Sequence, residues 1–170
     1  MAHDTKDAPS ILTIRRARPD EAATLSALAV RSKAHWGYDE AFLDACREDL
    51  RLSPDDIAAS AVYLAEGVKG PAGFYCLRPP VDGVAVLDDL FVEPAAIGQG
   101  VGRRLWLHAV ATARELGCTE LVIQSDPFAE GFYRAMDARR VGELESTVIP
   151  GRMLPLLRYA IRAAGDERRE

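Results

Sequence analysis

Three glycines at alternate positions, Gly98-Gln99-Gly100-Val101-Gly102, stand between a β-branched run ending at Val92 and a long helical pattern, with Arg103 and Arg104 directly behind them. Glycine lets the backbone approach a bound group closely, and the first amides of a helix have no acceptor within it. The place therefore suits an anion, a diphosphate above all. The two arginines add positive charge within reach of phosphate. A P-loop would need Gly-x-x-x-x-Gly-Lys-Ser/Thr, and no Lys-Ser or Lys-Thr follows these glycines. A Rossmann fingerprint would need Gly-x-Gly-x-x-Gly in a first βαβ unit, whereas the spacing here is Gly-x-Gly-x-Gly after a run of strands. Taken alone, the turn also reads as a tight strand-to-helix connection.

The rest of the chain bounds the chemistry. Cys46, Cys76 and Cys118 are widely spaced, with no CxxC pair and no histidine cluster to complete a metal shell, so they read as reduced, buried thiols and no metal is expected. A net charge of -5 and a pI near 5.3 argue against nucleic acid held by phosphate neutralisation. Residues 1–10 carry no apolar run, which speaks against a signal peptide or membrane span and makes the cytoplasm the default location. At 170 residues, with 48% hydrophobic and 28% charged residues, the chain is one soluble globular domain over 11–161. Residues 1–10 and 162–170 read as flexible ends.

The elements that must position the glycine turn follow from periodicity. Residues 11–15 form a short strand. Pro19-Asp20-Glu21 opens a helix with Ala22, Leu25, Leu28 and Ala29 on its buried stripe, and helical spacing returns at Phe42, Ala45, Cys46 and Leu50 and again from Ser53-Pro54. Strands at 61–66, 73–78 and 84–92 are separated by turns and read as an antiparallel meander. From Gly100 to Leu116, the residues Val101, Leu105, Ala109, Ala113 and Leu116 trace one helical face, and Gly117 stands where it caps the end. A short strand at 121–124, a helix at 128–138 and a hairpin of 141–148 with 153–161 turning at Pro150-Gly151 complete the chain. Pro155 suggests an edge or bulged position in the last strand. Strand 84–92, helix 100–116 and strand 121–124 make a β-α-β crossover, so those two strands are expected to be parallel. The class is α+β, with a mixed, mainly antiparallel sheet of about seven strands flanked by helices.

The segment Leu87-Asp88-Asp89-Leu90-Phe91-Val92-Glu93-Pro94, followed by Ile97-Gly98-Gln99-Gly100-Val101-Gly102-Arg103-Arg104-Leu105, closely resembles the central motif of the GNAT superfamily of acyl-CoA N-acyltransferases. Asp126, Ala129 and Phe132-Tyr133 fall at the spacing of that superfamily's next motif, Asn-x-x-Ala-x-x-Phe-Tyr. The resemblance implies the GNAT fold, with splayed parallel strands, and acetyl-CoA as co-substrate. The backbone of Leu90, Phe91 and Val92 would bond the pantetheine arm. The turn from Ile97 through Gly98, Gln99, Gly100, Val101 and Gly102 would hold the pyrophosphate, with Arg103 or Arg104 adding charge. Ile97 departs from the usual Arg or Gln, which leaves only its amide to contribute. Asp126 stands in place of Asn, which can donate where an ionised acid cannot, and Phe128 beside it is taken with the cofactor site. Met136-Asp137-Ala138 replaces the frequent Leu-Gly-Phe.

The same resemblance makes Tyr133 the acid that protonates the departing thiolate. The incoming ammonium must lose a proton, and Asp88 is the first choice of base: strand alternation puts it on the face of Leu90 and Asp89 on the other. His35, Trp36, Tyr38 and Arg152 lie in segments that wall the acceptor pocket in such proteins. The implied activity is transfer of an acetyl or short acyl group to a primary amine, of a small molecule or a peptide, by direct attack in a ternary complex. A homodimer is compatible with it, and nucleic acid and membrane are not expected partners. Two alternatives stand beside it: a non-catalytic acyl-CoA-binding module, and a nucleotide-binding domain.

Overall fold

The computed structural model describes residues 11–163 and Gly165. In chain order it contains β1 (Thr13–Arg16), α1 (Ala22–Ala34), α2 (Glu40–Cys46), α3 (Pro54–Ala59), β2 (Ala61–Gly67), β3 (Gly70–Leu77), β4 (Val84–Val92), α4 (Val101–Glu115), β5 (Glu120–Gln124), α5 (Glu130–Ala135), β6 (Arg139–Glu145) and β7 (Met153–Ala160). Single 3-10 turns precede α1, α4 and α5, at Pro19–Glu21, Pro94–Ala96 and Pro127–Ala129. The strands form one sheet in the order β1-β2-β3-β4-β5-β7-β6. Every neighbouring pair is antiparallel except β4 and β5. The expected crossover is therefore present, and the sheet is mixed.

Helices cover both faces of the sheet. Leu25, Leu28 and Ile57 of α1 and α3 pack with Val62, Leu64 and Phe74 on one face. Leu105, Trp106 and Ala109 of α4 pack with Tyr75, Leu87 and Leu121 on the other. Burying each large aliphatic side chain contributes about 1.5–3 kcal/mol, so the two layers fix where β4 and α4 lie. Local signals set the helix ends. The Asp39 carboxylate accepts from the Phe42 N–H at 2.8 Å to start α2, and Ser53 and Asp56 cap α3 reciprocally. Gly117, at φ +80°, closes α4 with Cys118 N–H bonded to the Ala113 carbonyl. Leu116 falls just past the helix and is exposed.

Two expectations are corrected by tertiary pairing. The last strand is interior, flanked by β5 and β6, and β6 forms the sheet edge. Pro155 is accommodated there because it pairs with Glu143 of β6 while its backbone turns toward the end of β5. Beyond Gln124, only the Ser125 N–H reaches it, bonding its carbonyl at 2.9 Å, so the missing proline N–H is not required. The helix expected over 128–138 is a 3-10 turn plus six α-helical residues, and Asp137 exits it at φ +67°. Asp tolerates this left-handed conformation better than most residues, which keeps the turn without the expected glycine. Of the ends expected to be flexible, residues 1–10, 164 and 166–170 lie outside the described residues. The Arg162 carbonyl accepts from Arg114 Nε at 2.9 Å.

Gly73 shows how tightly α4 seats on the sheet. A Cβ there would stand 2.7 Å from the Phe91 carbonyl oxygen and 2.9 Å from Leu105 Cδ1. Gly73→Ala is expected to destabilise the fold by about 1–3 kcal/mol through overpacking. For a domain of this size that lowers Tm by about 2–4 °C per kcal/mol, measurable by thermal melting. An unchanged Tm would contradict the close packing of α4 on β3 and β4.

Candidate active site

The site begins where two parallel strands part. Pairing of β4 with β5 runs from Val84–Glu120 to Leu87–Ile123 and stops, although β4 continues five residues to Val92. On its other side, β4 stays paired to β3 up to Val92–Gly73. The Glu93 N–H bonds the Ala72 carbonyl at 2.8 Å, so by antiparallel alternation Phe91 and Asp89 also turn their backbone groups to β3. Leu90 and Val92 then present N–H and C=O groups to the open side. Phe91 instead packs its ring near Phe74, at 5.8 Å between centroids. An extended polar chain can pair with such an unoccupied strand edge.

At the far end of this gap lies the glycine turn. Gly98 and Gly100 have φ of +83° and +81°, and Gly100 is the N-cap of α4. The first helical bond joins the Arg104 N–H to the Gly100 carbonyl at 3.1 Å, so the amides of Val101, Gly102 and Arg103 have no acceptor within the helix. Ile97, Gly98, Gln99 and Gly100 are exposed. Of the two arginines, Arg104 is engaged by the Leu12 carbonyl at 2.7 Å, whereas Arg103 is exposed and has no side-chain partner among the described residues.

Tyr133 projects from α5 with its ring buried against Trp106 and Phe132. Its hydroxyl has no hydrogen-bond partner among the described residues, yet every sealed polar side-chain atom there has one, so the hydroxyl must reach accessible space. Burial, with the Asp89 and Asp126 carboxylates adding to it, pushes the phenol well above its usual range. It is therefore a proton donor at neutral pH.

The two aspartates of β4 are arranged against the alternation argument. Cys76 faces Asp89 and Leu77 faces Leu87, so Asp88 is the extra residue of a β-bulge. The bulge brings the Asp88 and Asp89 carboxylates and the Cys76 sulfur within 4.8 Å of one another. The two acids thus share one site rather than opposite faces. Asp88 is exposed and bonded to Arg78 at 2.8 Å. Asp89, two residues past the last β4–β5 pair, is largely enclosed with no hydrogen-bond partner for its carboxylate among the described residues. Burial first, then the neighbouring Asp88 and Asp49 carboxylates, raise it from the ordinary 3.8 to about 7. Cys76 is buried, and burial with the Asp89 and Asp88 carboxylates lifts its thiol to about 12, which makes it a poor nucleophile.

A second cluster joins residues far apart in sequence. Asp126 accepts from Lys33 at 3.2 Å, from Tyr38 at 3.0 Å, from Arg152 at 3.2 Å and from the Phe128 N–H at 2.9 Å. Arg152 also donates to the Tyr38 hydroxyl at 2.6 Å and lies 4.9 Å from the Phe42 ring centre. Burial would raise Asp126, but the Phe128 amide and the Lys33 ammonium outweigh it and hold the acid ionised. Trp36 stacks on Phe128 at 5.5 Å, and exposed His35 touches only the Trp36 edge among aromatic rings. Tyr38, Arg152, Asp126 and Phe128 therefore meet, with Lys33 and Phe42 as members that local reading passed over. Their shared contacts depend on three chain segments and have no local signal.

Comparison with known proteins finds relatives in sequence and in fold. Residues 24–137 match the acetyltransferase (GNAT) family. The chain is 30% identical to the peptidyl-lysine N-acetyltransferase YjaB of Escherichia coli over 156 residues, spanning 88% of this chain and 97% of that protein. Among solved structures, a GCN5-related N-acetyltransferase of Rhodopseudomonas palustris superposes with a TM-score of 0.72 at 19% identity, over 91% of this chain and 98% of the other. The PaiA N-acetyltransferase of Thermoplasma acidophilum, solved with coenzyme A, gives 0.68 at 17% identity, over 88% and 99%. With a family match over more than half of its length and a relative matched nearly end to end, the chain belongs to the GNAT family of acetyltransferases.

Proposed function

We propose that this N-acyltransferase moves an acetyl group from acetyl-CoA to a primary amine by direct attack within a ternary complex. The observation that carries the reading is the Tyr133 hydroxyl, which has no hydrogen-bond partner among the described residues, together with the stretch of β4 beyond Leu87 that β5 leaves unpaired. The pantetheine arm pairs with the backbone of Leu90 and Val92. The pyrophosphate rests on the amides of the Gly98–Gly102 turn and of Arg103, with the Arg103 guanidinium in reach. Arg104 serves the fold instead. Asp126 replaces the family's asparagine as the centre of the Lys33–Tyr38–Arg152 cluster and fixes the start of the turn leading to α5.

Asp89, rather than Asp88, is the base: its pKa near 7 suits proton removal at neutral pH, and no ion pair occupies it. It takes a proton from the ammonium. The free amine attacks the thioester carbonyl carbon, a C–N bond forms, and the C–S bond breaks as Tyr133 protonates the sulfur. The second nitrogen proton returns to the phenolate through solvent, so the products are amide, CoA thiol and one released proton. Tyr38 and Arg152 wall the acceptor side, with Trp36 and His35 at its rim. A cytoplasmic enzyme acting on a small amine or a peptide fits this reading. No helix among the described residues is long and apolar enough to cross a membrane.

Titration calorimetry tests the cofactor half. Wild-type protein is expected to bind CoA in preference to ATP or a dinucleotide. Gly100→Val forces a β-branched residue to φ +81° and should weaken CoA about tenfold or more. Equal binding of CoA by both proteins would place the diphosphate elsewhere.

A further inference from the structure

A cavity of about 360 Å³ opens on the side of the sheet that carries α2 and α3. Its charged lining is four carboxylates, Asp49, Asp56, Asp88 and Asp89, and two guanidinium groups, Arg51 and Arg78. Most of these are already matched. Arg78 is bonded to Asp88 at 2.8 Å, Arg51 to Glu48 at 3.3 Å, and Asp56 accepts from the Ser53 N–H at 2.7 Å as part of the α3 cap. Asp49 and Asp89 remain, neither with a hydrogen bond or ion pair among the described residues. Asp89 is the enclosed one and stands where β4 leaves β5. Asp49 belongs to the segment that follows α2 and faces the same space.

Asp89 is the enclosed carboxylate and is costly unless a cation meets it, while Asp49 is exposed and adds a second negative charge at the mouth of the same cavity. We propose that the acceptor is a dicationic amine, one ammonium delivered to Asp89 for deprotonation and attack, the other held by Asp49. This rests on the acetyltransferase reading above and adds the substrate class. The opposite preference, for an acceptor bearing a carboxylate, would have to draw on Arg51 and Arg78 of this cavity, which are already paired to Glu48 and Asp88, or on Arg152 and Lys33, which are paired to Asp126. The field of Asp49 also contributes to the raised proton affinity of Asp89, and a second cation in the cavity would offset it.

The test is free-thiol release by the full chain at saturating acetyl-CoA with acceptors of matched length: cadaverine, pentylamine, the corresponding aminopentanoate, and a capped lysine peptide. Cadaverine should exceed the other three in kcat/KM by about threefold to fivefold, the worth of one pair made with an exposed carboxylate. Asp49→Asn should erase that advantage through KM when the two amines are compared at a pH above the acidic limb set by Asp89, where the loss of the Asp49 field no longer changes the ionisation of the base. Pentylamine, aminopentanoate or the lysine peptide performing as well as cadaverine would overturn the proposal, as would an advantage that survives Asp49→Asn. If none of the four is acetylated, the acetyltransferase reading itself fails, and cadaverine binding by calorimetry in the presence of CoA still decides the site. Binding abolished by Asp49→Asn supports it, and no binding by wild type overturns it.

Discussion

Tyr133→Phe should lower kcat for acetyl transfer by about 100-fold or more, the usual contribution of a positioned acid, while leaving the dissociation constant of acetyl-CoA unchanged. The substitution removes one oxygen and preserves the ring that packs on Trp106 and Phe132, so the fold around α5 is retained. The hydroxyl has no partner among the described residues to lose, so no buried group is orphaned. A wild-type Tm together with a collapsed kcat would thus isolate the chemical role. A rate within a factor of two of wild type would remove Tyr133 from the mechanism.

Asp89→Asn should be nearly as damaging to the rate, and it should stabilise the protein. The base must be ionised to act, so wild-type kcat/KM is expected to rise through an acidic limb near pH 7 and to lose that limb in the variant, with a fall of about 100-fold at neutral pH. The stability effect has the opposite sign. Because the folded pKa is about 7 against an ordinary 3.8, the folded chain holds a proton that the unfolded chain has released between these values. Stability then falls as pH rises through that window. Asparagine does not titrate, so the variant should melt above wild type at pH 8 and show a smaller difference at pH 4. Asp88→Asn, which loses only an exposed pair with Arg78, should leave the acidic limb in place. A limb that vanishes in Asp88→Asn and persists in Asp89→Asn would reverse the assignment.

The contrast between these two acids shows what local sequence can and cannot carry. Alternation places Asp88 and Asp89 on opposite faces, and the inference fails because one extra residue is inserted opposite Cys76 and Leu77. A bulge is a property of two paired strands, and nothing in the composition of either announces it. The glycine turn was legible for the converse reason. Residues 98–102 and the apolar stripe of α4 encode a left-handed cap and a helix within one continuous stretch, and the strand before them encodes the crossover. The hairpin of β6 and β7 was legible as a pair. That β7 is the member beside β5 is decided by packing, and Pro155 at the end of β5 fits an interior strand only because of where β5 stops. Likewise, Tyr38, Asp126 and Arg152 each stood out by type, but their meeting with Lys33 requires the closed sheet.

Free-thiol release from acetyl-CoA across a panel of primary amines measures the central claim most directly. The expected result is amine-dependent release with stoichiometric amide, intersecting initial-velocity lines when both substrates are varied, and no thiol burst before amine is added. Parallel lines with a burst would indicate a covalent acyl-enzyme. Tight binding of acetyl-CoA with no release for any amine would contradict catalysis and leave a binding module.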